Sequence, residues 1–288
     1  MTDILLIQPP IRDFYLTAKR TIPYGVASIA AMLEADGLTV KILDALATRK
    51  ARVCDWPESM GYLEPYYGRS DRSPLALFHT YRHYGYTFEH IGRQAQASNA
   101  FLVGISALFT PYVDEALETA AVVKRFHPHC KIVMGGHHPT AFGEEVLQHP
   151  AVDYIIRGEG EQALPTLARA LKAGKDNLEQ IPGIGFKRTD GGLHLNSPAQ
   201  VRSLDHLVLP ASHLLNQKYY ARNKCGRAVI LTSRGCTLNC SYCCMGTSSP
   251  LPYRRRSIDS VMREIEAAEV DHKAGFIDFE DETLAWNR

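Results

Sequence analysis

The sequence predicts an α/β fold: a Rossmann-like, doubly wound parallel sheet, followed by one strand–helix–strand unit of a second domain. Three observations carry this reading. Short Val- and Ile-rich apolar runs recur up to residue 174, as strands buried on both faces should read. Segments of helical period separate them, and strands alternating with helices imply a parallel sheet covered on both sides. A chain of 288 residues, 45% hydrophobic and 22% charged, can bury a large core and has roughly the length of two domains.

The elements follow in order. ILLIQ (4–8) and TVKILD (39–44) are the first two strands. Between them Val26, Ile29, Ala30 and Leu33 recur at i, i+3, i+4 and i+7, and Gly37 supplies the stop. Residues 45–100 then break the rhythm with a stretch dense in Tyr, His and Arg, including YLEPYYGR and YRHYGY. That is too long for an ordinary connection. It reads as a helical or irregular insertion over one sheet edge, the alternative being a lid over a ligand. FLVGIS (101–106) resumes the sheet. A helix follows with Val113, Ala116, Leu117, Ala120 and Val123 on one face; Thr110 can cap it, Pro111 fits its first turn, and Asp114 and Glu115 suit its dipole. KIVMGG (131–136) and VDYIIRG (152–158) are the fourth and fifth strands, and a helix with Leu164, Leu167, Ala168 and Leu171 ends at Gly174. IPGIGFKRTDGGLHLN reads as a hairpin around Asp190-Gly191-Gly192, inside a linker placed at 175–226. From 227 the strand AVILTS, a helix capped by Ser257 with Ile258, Val261, Ile265 and Ala268 on one face, and the strand GFIDFED (275–281) form one further unit.

The charge balance excludes some functions. A net charge of +1 argues against a dominant nucleic-acid surface; Arg254, Arg255 and Arg256 form one local basic run, read as a solvated or anion-pairing loop. No stretch approaches ~20 uninterrupted apolar residues, and the start MTDILLIQPP carries Asp3 where a secretory signal would carry positive charge. The expectation is a cytoplasmic protein without a membrane partner. Four of the seven cysteines nevertheless lie within RGCTLNCSYCC (234–244). In a reducing compartment, such spacing favours metal ligation or redox catalysis over structural disulfides.

In an open parallel sheet, ligands bind beyond the carboxyl ends of the strands. There the sequence places Gln8-Pro9-Pro10, Gly104 through Ser106 to Thr110, Gly135-Gly136-His137-His138 and Gly158-Glu159-Gly160-Glu161. Neither GxGxxG after the first strand nor GxxxxGK[ST] is present, which weakens nicotinamide and P-loop readings. Taken together, QPP, PYGVASIAAMLEADG, VGIS, MGGHHPT and DYIIRGEGE resemble the cobalamin-binding domain that stands in front of a radical S-adenosylmethionine (SAM) core. The resemblance covers most of residues 1–170 outside the insertion. It implies that Ser106, Thr110, Gly135 and Gly136 line the pocket of the cobalamin nucleotide tail, and that Pro9, Pro10, Gly25 and Glu159 lie nearer the corrin. The chain departs from the pattern in having no Asp-x-His, so ligation of cobalt by a lower-face DxHxxG histidine is not expected. His137 and His138, beside a Gly-Gly turn, read as loop hydrogen-bonders.

Cys236, Cys240 and Cys243 form CxxxCxxC directly after AVILTS. Three thiolates on one short loop can hold three irons of a four-iron four-sulfur cluster and leave the fourth open to a small ligand. The arrangement is similar to the radical SAM family. That resemblance implies that the open iron chelates the amino and carboxylate groups of SAM, and that an electron from the cluster cleaves SAM to a 5′-deoxyadenosyl radical. It further implies that Tyr242 faces the adenine and that Glu280 and Asp281 help hold SAM, although the usual Gly-Gly-Glu is absent. A zinc site would need a fourth ligand from Cys225, Cys244 or a distant histidine, and no second cysteine pair exists; Cys54, Cys130, Cys225 and Cys244 read as ordinary thiols. The function implied is a cobalamin-dependent radical SAM enzyme that transfers a methyl group to an unactivated carbon or runs a cyclisation or rearrangement. Its partners would be a small-molecule or peptide substrate and an electron donor such as flavodoxin or ferredoxin. The alternatives are a corrinoid-binding module with an inactive radical SAM segment, and a zinc-stabilised Rossmann-like interaction protein. One strand–helix–strand unit cannot close a barrel, so residues 227–288 are expected to be the amino-terminal part of a truncated radical SAM core. The two sites are expected to share one cleft, with the strand ends near Pro9 and Glu159 facing residues 236–243.

Overall fold

The computed structural model describes residues 2–15, 21–63, 65, 80–175, 177–238, 240–243 and 252–284. In chain order its elements are β1 (Ile4–Gln8), β2 (Ile11–Asp13), α1 (Tyr24–Ala35), β3 (Val40–Asp44), β4 (Ala51–Val53), β5 (Arg82–Tyr84), α2 (Phe88–Ser98), β6 (Leu102–Ser106), α3 (Val113–Phe126), β7 (Lys131–Gly135), α4 (His137–Ala141), α5 (Gly143–Gln148), β8 (Tyr154–Ile156), α6 (Gly160–Lys172), β9 (Ile184–Lys187), β10 (Leu193–Leu195), β11 (Gly226–Ile230), β12 (Ser233–Arg234), β13 (Arg254–Arg255), α7 (Ile258–His272) and β14 (Ala274–Phe279). Among the described residues no helix is long and apolar enough to cross a membrane.

The doubly wound parallel sheet expected from the sequence is present. Its order is β10-β9-β8-β7-β6-β1-β3, with β3, β1, β6, β7 and β8 parallel. The chain leaves β1 for one neighbour, β3, and later returns to the other, β6, so the order reverses between β1 and β6. Alternation along β1 feeds two cores, as a sheet covered on both faces requires. Leu5 and Ile7 pack with Ile91 of α2 and Ala116, Ala120 and Val123 of α3. Ile4 and Leu6 pack with Ala30 and Leu33 of α1 and Leu167 of α6. Burying each such side chain contributes about 1.5–3 kcal/mol.

Two parts of the sequence reading change. Residues 45–100 are not one helical or irregular insertion. Their end is α2, the crossover helix that parallel strands require between β3 and β6. Thr87 caps it by accepting a hydrogen bond from His90 N at 3.3 Å, and Asn99 ends it at φ 52°. The remainder supplies β4 and β5, which join β2 in an antiparallel sheet of order β2-β5-β4. It stands just past the carboxyl end of β1 and closes over its own small core of Ile11, Leu46 and Tyr84. The hairpin that the sequence places in the linker is β9–β10, and it extends the main sheet: β9 pairs antiparallel with β8, covering an edge that would otherwise present unpaired backbone groups. Gly158 then bridges to Ala199. At φ +78° a Cβ there would lie 2.3 Å from the Ala199 carbonyl oxygen, so only glycine fits.

The second unit is built as the sequence predicts. β11 and β14 pair in parallel, and α7 between them is capped by Ser257, which accepts from Ser260 N at 3.2 Å. β12 and β13 pair through Ser233↔Arg255 and Arg234↔Arg254 only. They bracket the stretch that carries the clustered cysteines.

Candidate functional site

The order reversal between β1 and β6 marks the place where open α/β sheets bind ligands. Ser106 and Gly135 are register partners at the ends of β6 and β7, and both are half-buried. A Cβ on Gly135 would meet only the Ile156 carbonyl oxygen at 3.8 Å, and one on Gly25, in the first turn of α1, would meet nothing within 4 Å. Gly25 and Gly135 therefore each border open space that a side chain there would fill. Gly136 serves the backbone instead: at φ +127° its Cβ would stand 2.5 Å from the Ala107 oxygen, so it turns the chain from β7 into α4. Thr110 is exposed and its hydroxyl pairs with His138 Nδ1 at 3.2 Å. His138 is buried and stacks on Phe142 at 5.1 Å; burial holds its pKa below the ordinary value. Sequence reasoning passed over Leu108, Phe109 and Phe142, which are exposed large apolar side chains at this same end. The signal was an apolar pair directly after Ser106.

Three residues expected beside the corrin are buried against protein. Pro9 and Pro10 are buried, and Pro10 lies under the small sheet, where a Cβ on Gly85 would come within 2.9 Å of it. Glu159 is also buried, and its carboxylate is consumed by ion pairs. It accepts from Arg234 at 3.1 Å, from Arg254 at 2.7 and 3.1 Å and from Val201 N at 2.6 Å. Burial pushes this carboxyl up, but the bonds from Arg254 and Val201 and the charges of both arginines outweigh it and hold the pKa below the usual value.

On the cysteine loop, Cys236, Cys240 and Cys243 are half-buried thiols outside any disulfide. The loop turns tightly, with Cys243 N donating to Cys240 O at 3.0 Å and Leu238 N to Cys236 Sγ at 3.4 Å. Among the described residues no three His, Cys, Asp or Glu side chains gather as a single metal ion would need. A four-iron cluster asks for something different, one thiolate on each of three separate irons, and three cysteines on one turn fit that demand. Tyr242 is 89% exposed, and its hydrogen bond with the Cys240 side chain raises the phenol's pKa. Cys244 lies outside the described residues. Cys130 is buried, which pushes its thiol up to about 11.

Beyond β14, Asp281 accepts from Thr232 N at 3.1 Å, Thr232 Oγ1 at 2.8 Å and Ser233 Oγ at 2.5 Å, so it fixes the strand leading into the loop. Glu280 pairs with Arg227 at 3.6 Å; burial raises its pKa against the pull of that arginine. The two halves face each other at these strand ends. Glu282 is close enough to oppose, by its charge, the burial that lowers the pKa of His137, and Arg234 and Arg254 reach Glu159. Arg254 and Arg256 of the basic run are thus anion-pairing, while Arg255 is exposed: Arg256 pairs with Glu264 and donates to Leu231 O at 3.1 Å. A cleft of about 90 Å³ is lined by Tyr24, Val229, Glu264 and Ala268.

Residues 77–168 match the family model of the B12 binding domain. The chain is 29% identical over 205 residues to an uncharacterized methyltransferase of Pyrococcus horikoshii, covering 70% of this chain and 44% of that protein. It is 32% identical over 184 residues to the anaerobic magnesium-protoporphyrin IX monomethyl ester cyclase of Cereibacter sphaeroides, covering 62% of this chain and 30% of that one. The fold superposes on the cobalamin-dependent S-adenosylmethionine radical enzyme OxsB, solved with aqua-cobalamin and S-adenosylmethionine bound, with a TM-score of 0.69 at 16% identity over 97% of this chain and 34% of that one. The chain spans less than half the length of each of these curated relatives. In this chain the B12 binding domain match is followed by a three-cysteine loop at the head of a strand–helix–strand unit. The chain is similar to proteins of the cobalamin-binding radical SAM kind in sequence and in fold.

Proposed function

We propose that this protein is a cobalamin-dependent radical SAM enzyme that cleaves SAM reductively at a four-iron four-sulfur cluster and transfers a methyl group to an unactivated carbon. The observation that carries this reading is the direct fastening of the cysteine loop to the carboxyl end of the first sheet, through Arg234 and Arg254 on Glu159. A shared end is what two cofactors acting on one substrate need, because reacting groups must be held close and oriented.

In this reading Cys236, Cys240 and Cys243 hold the cluster. Tyr242, Glu280 and Asp281 lie where SAM would bind, with Asp281 acting first by holding Thr232 and Ser233. Gly25, Ser106 and Gly135 admit cobalamin: the glycines leave room and the Ser106 hydroxyl offers a hydrogen bond. When bound, the cluster supplies an electron and the corrinoid a transferable methyl group. The substrate would be a small molecule or peptide, the cluster's reductant a donor such as flavodoxin or ferredoxin, and the compartment the cytoplasm. The functional division falls at residue 227, with the β9–β10 hairpin belonging to the amino-terminal half.

The test is anaerobic reconstitution with iron, sulfide and hydroxocobalamin, followed by SAM and a reductant. The expected products are 5′-deoxyadenosine and a corrinoid methylated by label from SAM. A protein that retains corrinoid but cleaves no SAM is a corrinoid-binding module. Cleavage without passage of the methyl label places it with the cyclisation chemistry named for one of its relatives.

A further inference from the structure

Three arginines of the second unit and three glutamates meet in one buried seam. Arg234, Arg254 and Arg256 are 17%, 11% and 8% exposed, and Glu159, Glu161 and Glu264 are 7%, 4% and 8% exposed. Three positive charges therefore face three negative ones. A buried ion pair adds little net stability compared with apolar packing of the same volume, so the seam is better explained by what it holds in place.

What it holds is the cysteine loop. Arg234 is the last residue before that loop and Arg254 opens the strand that follows it; the two are register partners in the short β12–β13 ladder. Both guanidinium groups converge on the one carboxylate of Glu159, at the amino-terminal end of α6. Oε1 accepts from Arg234 Nη1 and Arg254 Nη2, both at 3.1 Å. Oε2 accepts from Arg254 Nη1 at 2.7 Å and Val201 N at 2.6 Å. An ionised carboxylate has about four acceptor sites, and these four bonds occupy them. Arg234 is held a second time by Glu161 at 2.6 Å, which itself accepts from Ser28 of α1 at 3.0 Å.

We propose that Glu159 is a positioning residue that clamps both ends of the cysteine loop to the carboxyl end of the first sheet, and so sets where the cysteines stand relative to the strand ends at Ser106 and Gly135. It touches neither cofactor, since its oxygens are fully used by protein donors. The clamp is independent of the proposed function, while its use in spacing two cofactors rests on that reading.

Hydrogen exchange on the intact, cofactor-free protein tests the clamp in wild type, in Glu159→Gln and in Glu159→Gln/Arg254→Gln. The double variant removes the Glu159–Arg254 pair together and so leaves no unpaired charge at position 254, while Arg234 keeps Glu161, which protects the fold if the single variant proves unstable. Amides 233–238 and 252–256 should exchange roughly tenfold faster or more in both variants, with the amides of β6 and β7 unchanged. After reconstitution, Glu159→Gln should keep wild-type iron, sulfide and corrinoid while the electron paramagnetic resonance signal of its reduced cluster splits into a mixture of forms. Unchanged loop exchange in both variants overturns the proposal. So does a folded Glu159→Gln with a protected loop that no longer retains corrinoid, since that outcome makes Glu159 a corrin contact. Wild-type protein that binds no corrinoid would sink the proposed function and leave the exchange result standing.

Discussion

Glu115→Gln should stabilise the protein in alkaline solution and leave it unchanged in acid. Glu115 lies in the first turn of α3 with its side chain 4% exposed. Its Oε2 is buried without a hydrogen-bond partner, and its nearest cation, Arg12, stands 3.9 Å away while giving its close contact of 2.6 Å to Glu118. Burial dominates and raises the pKa from 4.5 to about 7; Arg12 opposes the rise, and Asp114 and Glu118 add to it. The folded state thus holds this proton more tightly than the unfolded chain. Its stabilising contribution is complete below the unfolded value and is lost as pH rises through about 7. At about 1.4 kcal/mol per unit the gap corresponds to roughly 3 kcal/mol, which screening reduces to about 1–2 kcal/mol. Glutamine keeps the shape and has no charge to bury. Urea unfolding followed by circular dichroism should show Glu115→Gln more stable by about 1–2 kcal/mol near pH 8.5 and equal to wild type near pH 4. A loss of stability near pH 8.5 would refute the reasoning, because it would mean that the Arg12 ion pair outweighs burial and that Glu115 is ionised in the fold.

Three further outcomes are expected. Replacing any one of Cys236, Cys240 or Cys243 by alanine should remove most of the visible absorbance of the reconstituted cluster, whereas Cys244→Ala should not; an indispensable Cys244 with a dispensable Cys243 reverses the ligand assignment. Gly135→Leu and Ser106→Phe should abolish corrinoid retention in equilibrium dialysis without lowering the melting temperature, because the space next to Gly135 is open; retention at the wild-type level places the corrinoid elsewhere. A fragment of residues 1–202 should fold and retain hydroxocobalamin, while one ending at 175 should aggregate in size-exclusion chromatography, since it lacks the β9–β10 hairpin that covers β8. Equal behaviour of the two fragments would show that the hairpin is dispensable.

By itself the sequence determined the parts whose signal is local. ILLIQ, FLVGIS and KIVMGG are strands because Val and Ile runs bounded by glycine and polar residues suit a sheet buried on both faces, and they appear as β1, β6 and β7. The amino-terminal cap of α7 and the CxxxCxxC loop were legible for the same reason: each depends on residues a few positions apart. The crossover helix α2 was not legible, because FEHIGRQAQAS carries few apolar residues and buries Phe88, Ile91 and Ala95 only through its fit against α3 and the sheet. Nor could a hairpin signal say that β9 and β10 would cap the edge at β8. The glutamates of RGEGE looked like ligand contacts at a strand end, and only the tertiary structure decided that Glu159 binds Arg234 and Arg254, its partners 75 and 95 residues away. The burial of Pro10 was likewise set by a small sheet assembled from three separated segments. Local periodicity records which face of an element is apolar. Which charged or polar groups meet across that face depends on how distant segments pack, and the cost of leaving a buried charge unpaired is settled only once they have met.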